Sequence, residues 1–485
     1  MAFGPSLRHA NSAAGEWRMN ERSNLPPPAS GMKGMIWPAI PDSQGSALLA
    51  LLYQLEQTQW WSAERLSEYQ FRQVAEMLRH AQATVPYYRD RLAASGWPAD
   101  RLPDASNWSD LPLLRREDIQ GAGKALHSSA IPKSHGNISE VSTSGSTGKP
   151  VRLLATGLTG LLWNVGTVRD FLWRRCDFSG TYAAIRFDRT GAAAYPDGEH
   201  APSWGKGFAH TLPTGPAVIL SITTPVEKQI EWLRRHQPDY LITHPTNLEA
   251  LLLHCARDGI RIANLKQVQT ISEVLKADVR TLCRDVWGVA LSDMYTTQEA
   301  GYLALQCPLE AHYHVQSENV ILEVLDADDR PCAVGQTGRV VVTQLHNFAS
   351  PLIRYDIGDY AEVGAPCSCG RGLPVIRHIA GRARSMLVLP SGEQFWPFFG
   401  GNKFSQIAPV SQFQLVQKTL ESIEVKLVTA RPLSAGEEDQ LREVIVTQLT
   451  HPFSVSFTYV DEIPRSKGGK YEEFRSEVAA PWAAR

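Results

Sequence analysis

Apolar residues recur at helical spacing between Ser46 and about Arg91, as in Leu48, Leu51, Leu52 and Leu55, and that spacing predicts two helices. After residue 180 the pattern alternates. Segments 181–187 and 217–222 read as strands, while Val226, Ile230 and Leu233 mark one face of a helix that ends before Pro238. Segments 240–243, 268–272 and 289–295 predict further strands, separated by helices over 248–256 and 279–287. Strands alternating with helices predict a largely parallel sheet covered on both faces. Ligands collect beyond the carboxyl ends of such strands, which marks Tyr295 onward as a functional edge. From about 320 to 363 β-rich runs take over, including 321–325 and 338–343. Near the end Ile423, Val425 and Leu427 alternate with polar residues. Ser434 and Glu437 form a capping box for a helix through Leu449, and Phe453, Val455, Phe457 and Tyr459 alternate again. The reading is α/β: a poorly ordered leader over 1–45, a large N-terminal α/β domain over 46–381, and a small C-terminal α+β domain over 382–485 built as a β-β-α-β module.

Composition narrows the class. The 485 residues are 43% hydrophobic and 20% charged, as in an ordinary globular protein, and the formal net charge of −2 comes with no long basic block, which argues against nucleic acid or an anionic membrane as partner. No segment stays apolar for the roughly 20 residues of a membrane span, and no signal peptide opens the chain, so a cytoplasmic location is expected. Seven scattered cysteines, an odd number, argue against a secreted disulfide framework.

Residues 142–150 read Ser-Thr-Ser-Gly-Ser-Thr-Gly-Lys-Pro. Gly145 and Gly148 let successive N–H groups turn inward, Thr143, Ser144, Ser146 and Thr147 add hydroxyls, and Lys149 adds positive charge, so the loop suits a polyphosphate. The spacing differs from an ordinary P-loop, which has four residues between its first glycine and Gly-Lys; here two separate Gly145 from Gly148, and Pro150 follows the lysine. Four more segments follow in order. They are Asp293-Met294-Tyr295-Thr296-Thr297-Gln298-Glu299 at a strand end, Arg354-Tyr355-Asp356-Ile357-Gly358-Asp359, Gly381-Arg382, and Pro464-Arg465-Ser466-Lys467-Gly468-Gly469-Lys470. Singly, each reads as a solvated turn or a packed ring; the order of all five carries the information.

With these motifs, and with Val85-Pro86-Tyr87-Tyr88-Arg89 and Leu111-Pro112-Leu113-Leu114 before them, the chain resembles the adenylate-forming (ANL) superfamily, in its phenylacetate-CoA ligase and CapK-like branch, from about 85 to 475. The resemblance implies an ANL-type large domain with a mobile small one, and ATP-dependent activation of a small carboxylic acid, aromatic by analogy. The acyl group would pass from the adenylate to coenzyme A, or alternatively to an amine, a hydroxyl or a carrier protein. A non-catalytic nucleotide-binding relative is the other alternative. The cofactors implied are ATP, Mg²⁺ and coenzyme A, and a homodimer is compatible with it. By resemblance, 143–149 holds phosphates, Glu299 holds Mg²⁺, Tyr295 stacks on adenine beside Thr296 and Glu273, Asp359 takes the ribose hydroxyls with Arg382 as companion, and Lys470 is the catalytic lysine, preferred over Lys467. The acyl pocket is expected near Ile185, 244–247, 271–273 and Tyr302. Thr296 and Gln298 depart from the usual Gly and Thr, and Arg384 stands where the hinge usually has Asp or Lys.

Cys367-Ser368-Cys369 is a tight thiol pair, and Cys307 with His314 completes a set of three thiolates and one imidazole. That set suits a closed structural Zn²⁺ site, with His312 as rival ligand and Cys332 left out.

Overall fold

Side-chain caps set the first helices. Asp42 accepts from Gly45 N ahead of α1 (Ser43–Thr58), and Ser62 accepts from Arg65 N ahead of α2 (Ala63–Thr84). The periodic stretch predicted as two helices is three. Val85 turns extended before Pro86, whose ring cannot continue α2 but fits the first turn of α3 (Pro86–Ala94). The computed structural model describes residues 27–98, 100–142, 151–188, 190–209, 211–382, 385–397, 403–466 and 469–478. The phosphate-loop residues Thr143 to Lys149, Arg384 and Lys467 lie outside the described residues. Within the expected leader, Ala29 N donates to Thr211 O and Gly31 N to Ile40 O.

A two-stranded hairpin, β1 (Ile138–Ser142) and β2 (Arg152–Thr156), flanks the loop and leads into α4 (Gly157–Trp173). The main sheet follows with β3 (Tyr182–Arg186), β4 (Glu199–Ala201), β5 (Ala217–Ser221), β6 (Tyr240–Thr243), β7 (Gln267–Thr270) and β8 (Ala290–Thr297). It continues through β9 (Gly301–Gln306), β10 (Tyr313–Val315), β11 (Val320–Leu325), β12 (Thr337–Gln344), β13 (Tyr355–Val363) and β14 (Val375–Arg382). Twelve strands run in the order β11-β12-β13-β14-β10-β9-β8-β7-β6-β3-β5-β4. β5, β3, β6, β7 and β8 are mutually parallel, and β8 turns antiparallel onto β9. The helices α5 (Val226–His236), α6 (Pro245–Asp258) and α7 (Ala277–Trp287) cover one face over a core that includes Ile185, Leu220, Trp232, Leu248 and Val268. Each of these helices ends at a residue in the left-handed region, Gln237, Gly259 and Gly288 respectively. From β3 the chain crosses to β5 on one side and later returns to β6 on the other, so a crevice opens beyond the carboxyl ends of β3 and β6.

The small lobe has its own core. A short ribbon, β15 (Leu387–Val388) with β16 (Gln394–Phe395), precedes β17 (Val410–Thr419), β18 (Ser422–Thr429), α8 (Ala435–Leu449), β19 (Ser454–Tyr459) and β20 (Phe474–Ser476). The four longer elements form the predicted β-β-α-β unit, and β20 adds a parallel edge beside β17, giving the order β19-β18-β17-β20. Ser434 accepts from Glu437 N, and Glu437 accepts in return from Ser434 N, the predicted capping box. Leu415, Ile423, Val425, Leu427, Leu441 and Ile445 are fully buried at its centre. Leu427→Ala is expected to cost about 2–5 kcal/mol, read as faster hydrogen exchange across 410–459 while exchange in β3 and β6 stays unchanged.

Candidate active site and metal centre

The tail that carries Lys470 enters the crevice between the lobes. Gly469 has φ +77°, and a Cβ there would stand 2.8 Å from Phe187 Cβ, just past β3. Tyr471 N donates to Glu273 Oε1 at 2.8 Å, and Arg465 Nη1 reaches Thr246 Oγ1 at 3.4 Å and Gly469 O at 3.1 Å. Lys276 Nζ stands 2.7 Å from Glu473 Oε1 and 3.2 Å from Glu249 Oε2, a largely buried triad that joins the lobes. On the other side the tail belongs to the small lobe. Leu415 N donates to Glu473 O, and Gln414 Nε2 to Glu472 O.

Lys470 meets the residues expected around it. Burial and the nearby Arg382 pull its pKa below that of an ordinary lysine, against Asp359, Glu273 and Glu299. Asp359 and Arg382 face each other across β13 and β14. Arg382 Nε lies 3.2 Å from Asp359 Oδ1, and Tyr295 OH donates to Asp359 Oδ2 at 2.9 Å. Burial, then the Asp359 charge, pushes the Tyr295 phenol far up, which keeps it a donor. A register shift between Tyr295 and Thr296, within the pairing of β8 with β9, re-aims the strand end toward this cluster. Glu299 sits at the turn that follows. Burial raises its carboxyl against Arg382 and Arg116, and its oxygen donors suit Mg²⁺. Glu273 spends both oxygens on protein donors, with Oε2 accepting from Thr246 N at 3.1 Å and Thr246 Oγ1 at 2.8 Å.

A cleft of about 270 Å³ opens beside Glu299, with Trp163, Gly301, Tyr302, Thr156 and Leu154 in its walls. Tyr302 thus borders open space. Ile185, expected to line an acyl pocket, is instead fully buried in the sheet core, and Asn247 is engaged by Gln229 and Thr243. Arg116, Arg465 and the Lys276–Glu249–Glu473 triad are contributors that sequence reasoning did not single out. Glu473 and Lys276 lie 197 positions apart, and no local pattern links them.

The second cluster joins β10, the residue that follows β9 and the loop between β13 and β14. One ligand atom each from Cys307, His314, Cys367 and Cys369 lies within 4.8 Å of the others. The Cys307 and Cys367 sulfurs are 3.7 Å apart, and Cys369 Sγ is 3.3 Å from His314 Nε2. A zinc tetrahedron with bonds of ~2.1–2.3 Å has edges of roughly 3.4–3.8 Å, so the donor set fits the ion. His314 Nδ1 faces Leu373 O, which fixes the ring with Nε2 toward the sulfurs. Leu309 N and Cys369 N donate to the Cys307 and Cys367 sulfurs. His312 is a neighbour at 5.4 Å ring to ring, outside the set, and Cys332 packs elsewhere, against Gly338. The cysteine turn also grips the N-terminal helices. Arg371 Nε donates to Gln59 Oε1, Gly372 N donates to Gln59 O, and Gly372 leaves no room for a side chain against Trp61 O.

Residues 401–476 match the CapK C-terminal domain family. A phenylacetate-coenzyme A ligase of Pseudomonas putida is 24% identical over 400 residues, 80% of this chain and 87% of that protein. One of Thermus thermophilus is 23% identical over 440 residues, 84% and 95% of the two chains. Among solved structures, 2-hydroxyisobutyryl-CoA ligase in its postadenylation state with 2-HIB-AMP aligns at TM-score 0.68, with 17% identity over 86% of this chain and 90% of that one. The same enzyme with 2-HIB-AMP and CoA in its thioesterification state aligns at 0.57, with 17% identity over 86% and 91%.

The buried triad carries two carboxyls against one ammonium. Burial first, then Glu473 beside it, pushes Glu249 up to about 7 against the pull of Lys276, and Glu473 is raised as well, chiefly by burial. A carboxyl raised in the docked form binds a proton on docking. Its contribution to docking is therefore full below the ordinary value of 4.5 and fades as pH rises through about 7. Proteolysis between Arg382 and Lys403 should accelerate from about pH 5.5 to 8, and Glu249→Gln should flatten that rise.

Proposed function

We propose, from the premise that this chain belongs to the adenylate-forming superfamily in its phenylacetate-CoA ligase and CapK-like branch, that it activates a small carboxylic acid with ATP and passes the acyl group to coenzyme A. The observation that carries this reading is the seating of Lys470 at the switch-point crevice, where its charge is coupled to Asp359, Arg382, Glu273 and Glu299. In the first half-reaction a carboxylate oxygen of the acid attacks the α-phosphorus of ATP. The new O–P bond forms as the bond to the bridging oxygen breaks, and pyrophosphate leaves. Negative charge converges from two anionic reactants, and an ammonium on a short tether is suited to offset it as it builds. Tyr295, Thr296, Asp359 and Arg382 are the proposed contacts of adenosine, and Thr143 to Lys149 those of the phosphates. Glu299 would hold Mg²⁺, which supplies charge neutralisation at the triphosphate. An aromatic acid is supported by the phenylacetate-coenzyme A ligases among the relatives and by the Trp163 and Tyr302 walls of the cleft.

Zinc at Cys307, His314, Cys367 and Cys369 is proposed as structural, since all four positions of a tetrahedron are filled by protein and the site anchors the Gln59–Trp61 turn. Seven unpaired cysteines support a reducing, cytoplasmic setting, and no helix among the described residues is long and apolar enough to cross a membrane.

Acid-dependent exchange of labelled pyrophosphate into ATP, run over a panel of aromatic and aliphatic acids, tests the first step. Lys470→Ala is expected to lower it by roughly 10²–10³; no exchange with any acid would overturn the reading. AMP release that rises with coenzyme A supports the thiol acceptor, whereas a rise only with an amine or a hydroxyl compound would replace it. Purified protein should carry about one zinc per chain. Cys369→Ser should lose it and raise hydrogen exchange across 59–62.

A further inference from the structure

The contacts of Glu273 divide between the lobes. Oε2 is held within the large lobe by the Thr246 N–H and hydroxyl, while Oε1 accepts from Tyr471 N on the tail, with His244 Nδ1 at 3.4 Å and Arg465 Nη1 at 4.0 Å from the same oxygen. The side chain is only 7% exposed. Burial opposes its charge, but His244, Tyr471 N and Thr246 outweigh burial and hold the carboxyl below its usual range, so it is an acceptor at neutral pH. The local backbone is shaped for this. Ser272, the residue before it, has φ +73°, an unfavourable conformation for a serine, and turns residue 273 off the end of β7 toward the tail.

Tyr471 N belongs to the peptide unit whose carbonyl is that of Lys470. A hydrogen bond to that N–H fixes the plane through which the lysine's main chain leaves, and on the other side Gly469 abuts Phe187 with no space for a Cβ. Lys470 is thus gripped at both neighbours, by a steric stop before it and by a charged acceptor after it. The acceptor belongs to the large lobe and the donor to the small one, so the bond exists only while the lobes are arranged as they are here.

We propose that Glu273 is a positioning residue that seats Lys470 for adenylation by holding the Tyr471 N–H, rather than a contact of the nucleotide. The proposal rests on the adenylating function given above. Thr246 holds the carboxylate in place and nearby His244 favours its charged form, so that it waits as a fixed socket when the small lobe swings away and receives the tail again when it returns. A displaced ammonium loses its effect steeply, since a misplacement of about 1 Å is worth up to a hundredfold in rate.

The test uses the full chain with Glu273→Ala and Glu273→Gln, the second keeping one oxygen able to accept from Tyr471 N. Hydrogen exchange of the peptide spanning 469–476 should rise about tenfold in Glu273→Ala, in line with loss of a charge-assisted hydrogen bond, and less in Glu273→Gln. This measurement reads seating whether or not the chain forms adenylates. In the pyrophosphate exchange assay, kcat should fall roughly ten- to a hundredfold in Glu273→Ala, with the KM for ATP within about twofold of wild type and partial recovery in Glu273→Gln. Capture of chemically prepared acyl-adenylate by coenzyme A should be unchanged. A large rise in the KM for ATP at constant kcat, an equal loss in both half-reactions, or unaltered exchange across 469–476 would each overturn the assignment. A wild-type chain that lacks pyrophosphate exchange yet shows the rise across 469–476 in Glu273→Ala would overturn the adenylating reading and leave the socket standing.

Discussion

An ammonium seated in a crevice between two lobes must be partly stripped of water, and the strip of tail from Gly469 to Glu473 is where this protein meets that cost. Lys470 sits beside one guanidinium and three carboxylates, so its charge is opposed by burial and Arg382 and supported by Asp359, Glu273 and Glu299. The balance depends on both lobes. Asp359 comes from the middle of β13, and Arg382, Glu273 and Glu299 from a strand end or the turns that follow strands, whereas the lysine comes from a segment hydrogen-bonded to β17. Everything else in the fold holds these two sets of groups in register.

The large sheet does so through one strand. β8 is parallel to β7 on one side and antiparallel to β9 on the other, so it joins the parallel strands to the antiparallel strands that carry Asp359 and Arg382. The register shift at Tyr295 and Thr296 marks where that joint bends, and it delivers the Tyr295 hydroxyl to Asp359. The Cys307–His314–Cys367–Cys369 cluster gathers β10 and the loop before β14, and Arg371 and Gly372 of that loop bond the turn between α1 and α2.

Much of this was legible in the chain. The parallel strands and their helices announced themselves by period, because most of the strands are largely apolar runs buried on both faces and each helix buries one stripe. The Tyr295, Asp359, Arg382 and Lys470 motifs stood out because their order along the chain was informative, and the four zinc-type ligands because cysteine pairs are rare. Period could not show that the first helical stretch breaks at Pro86, since Leu92 continues the apolar spacing past the break. Nor could it show Ile185 as core rather than pocket, because a residue at a strand end reads the same in both. The inter-lobe contacts were invisible for a different reason. Lys276, Glu249 and Glu473 are individually unremarkable charges whose meaning arises only from a docking geometry that spans the chain.

One consequence follows from the way the tail is attached. Residues 474–476 pair in parallel with β17, immediately after the segment that bears the lysine. The ammonium therefore has no independent travel: it cannot be withdrawn as a loose flap while the lobe stays in place, and it cannot linger when the lobe turns. Any turn of the small lobe that releases the Tyr471 N–H from Glu273 also carries the lysine away from Asp359 and Glu299, gated by a single joint.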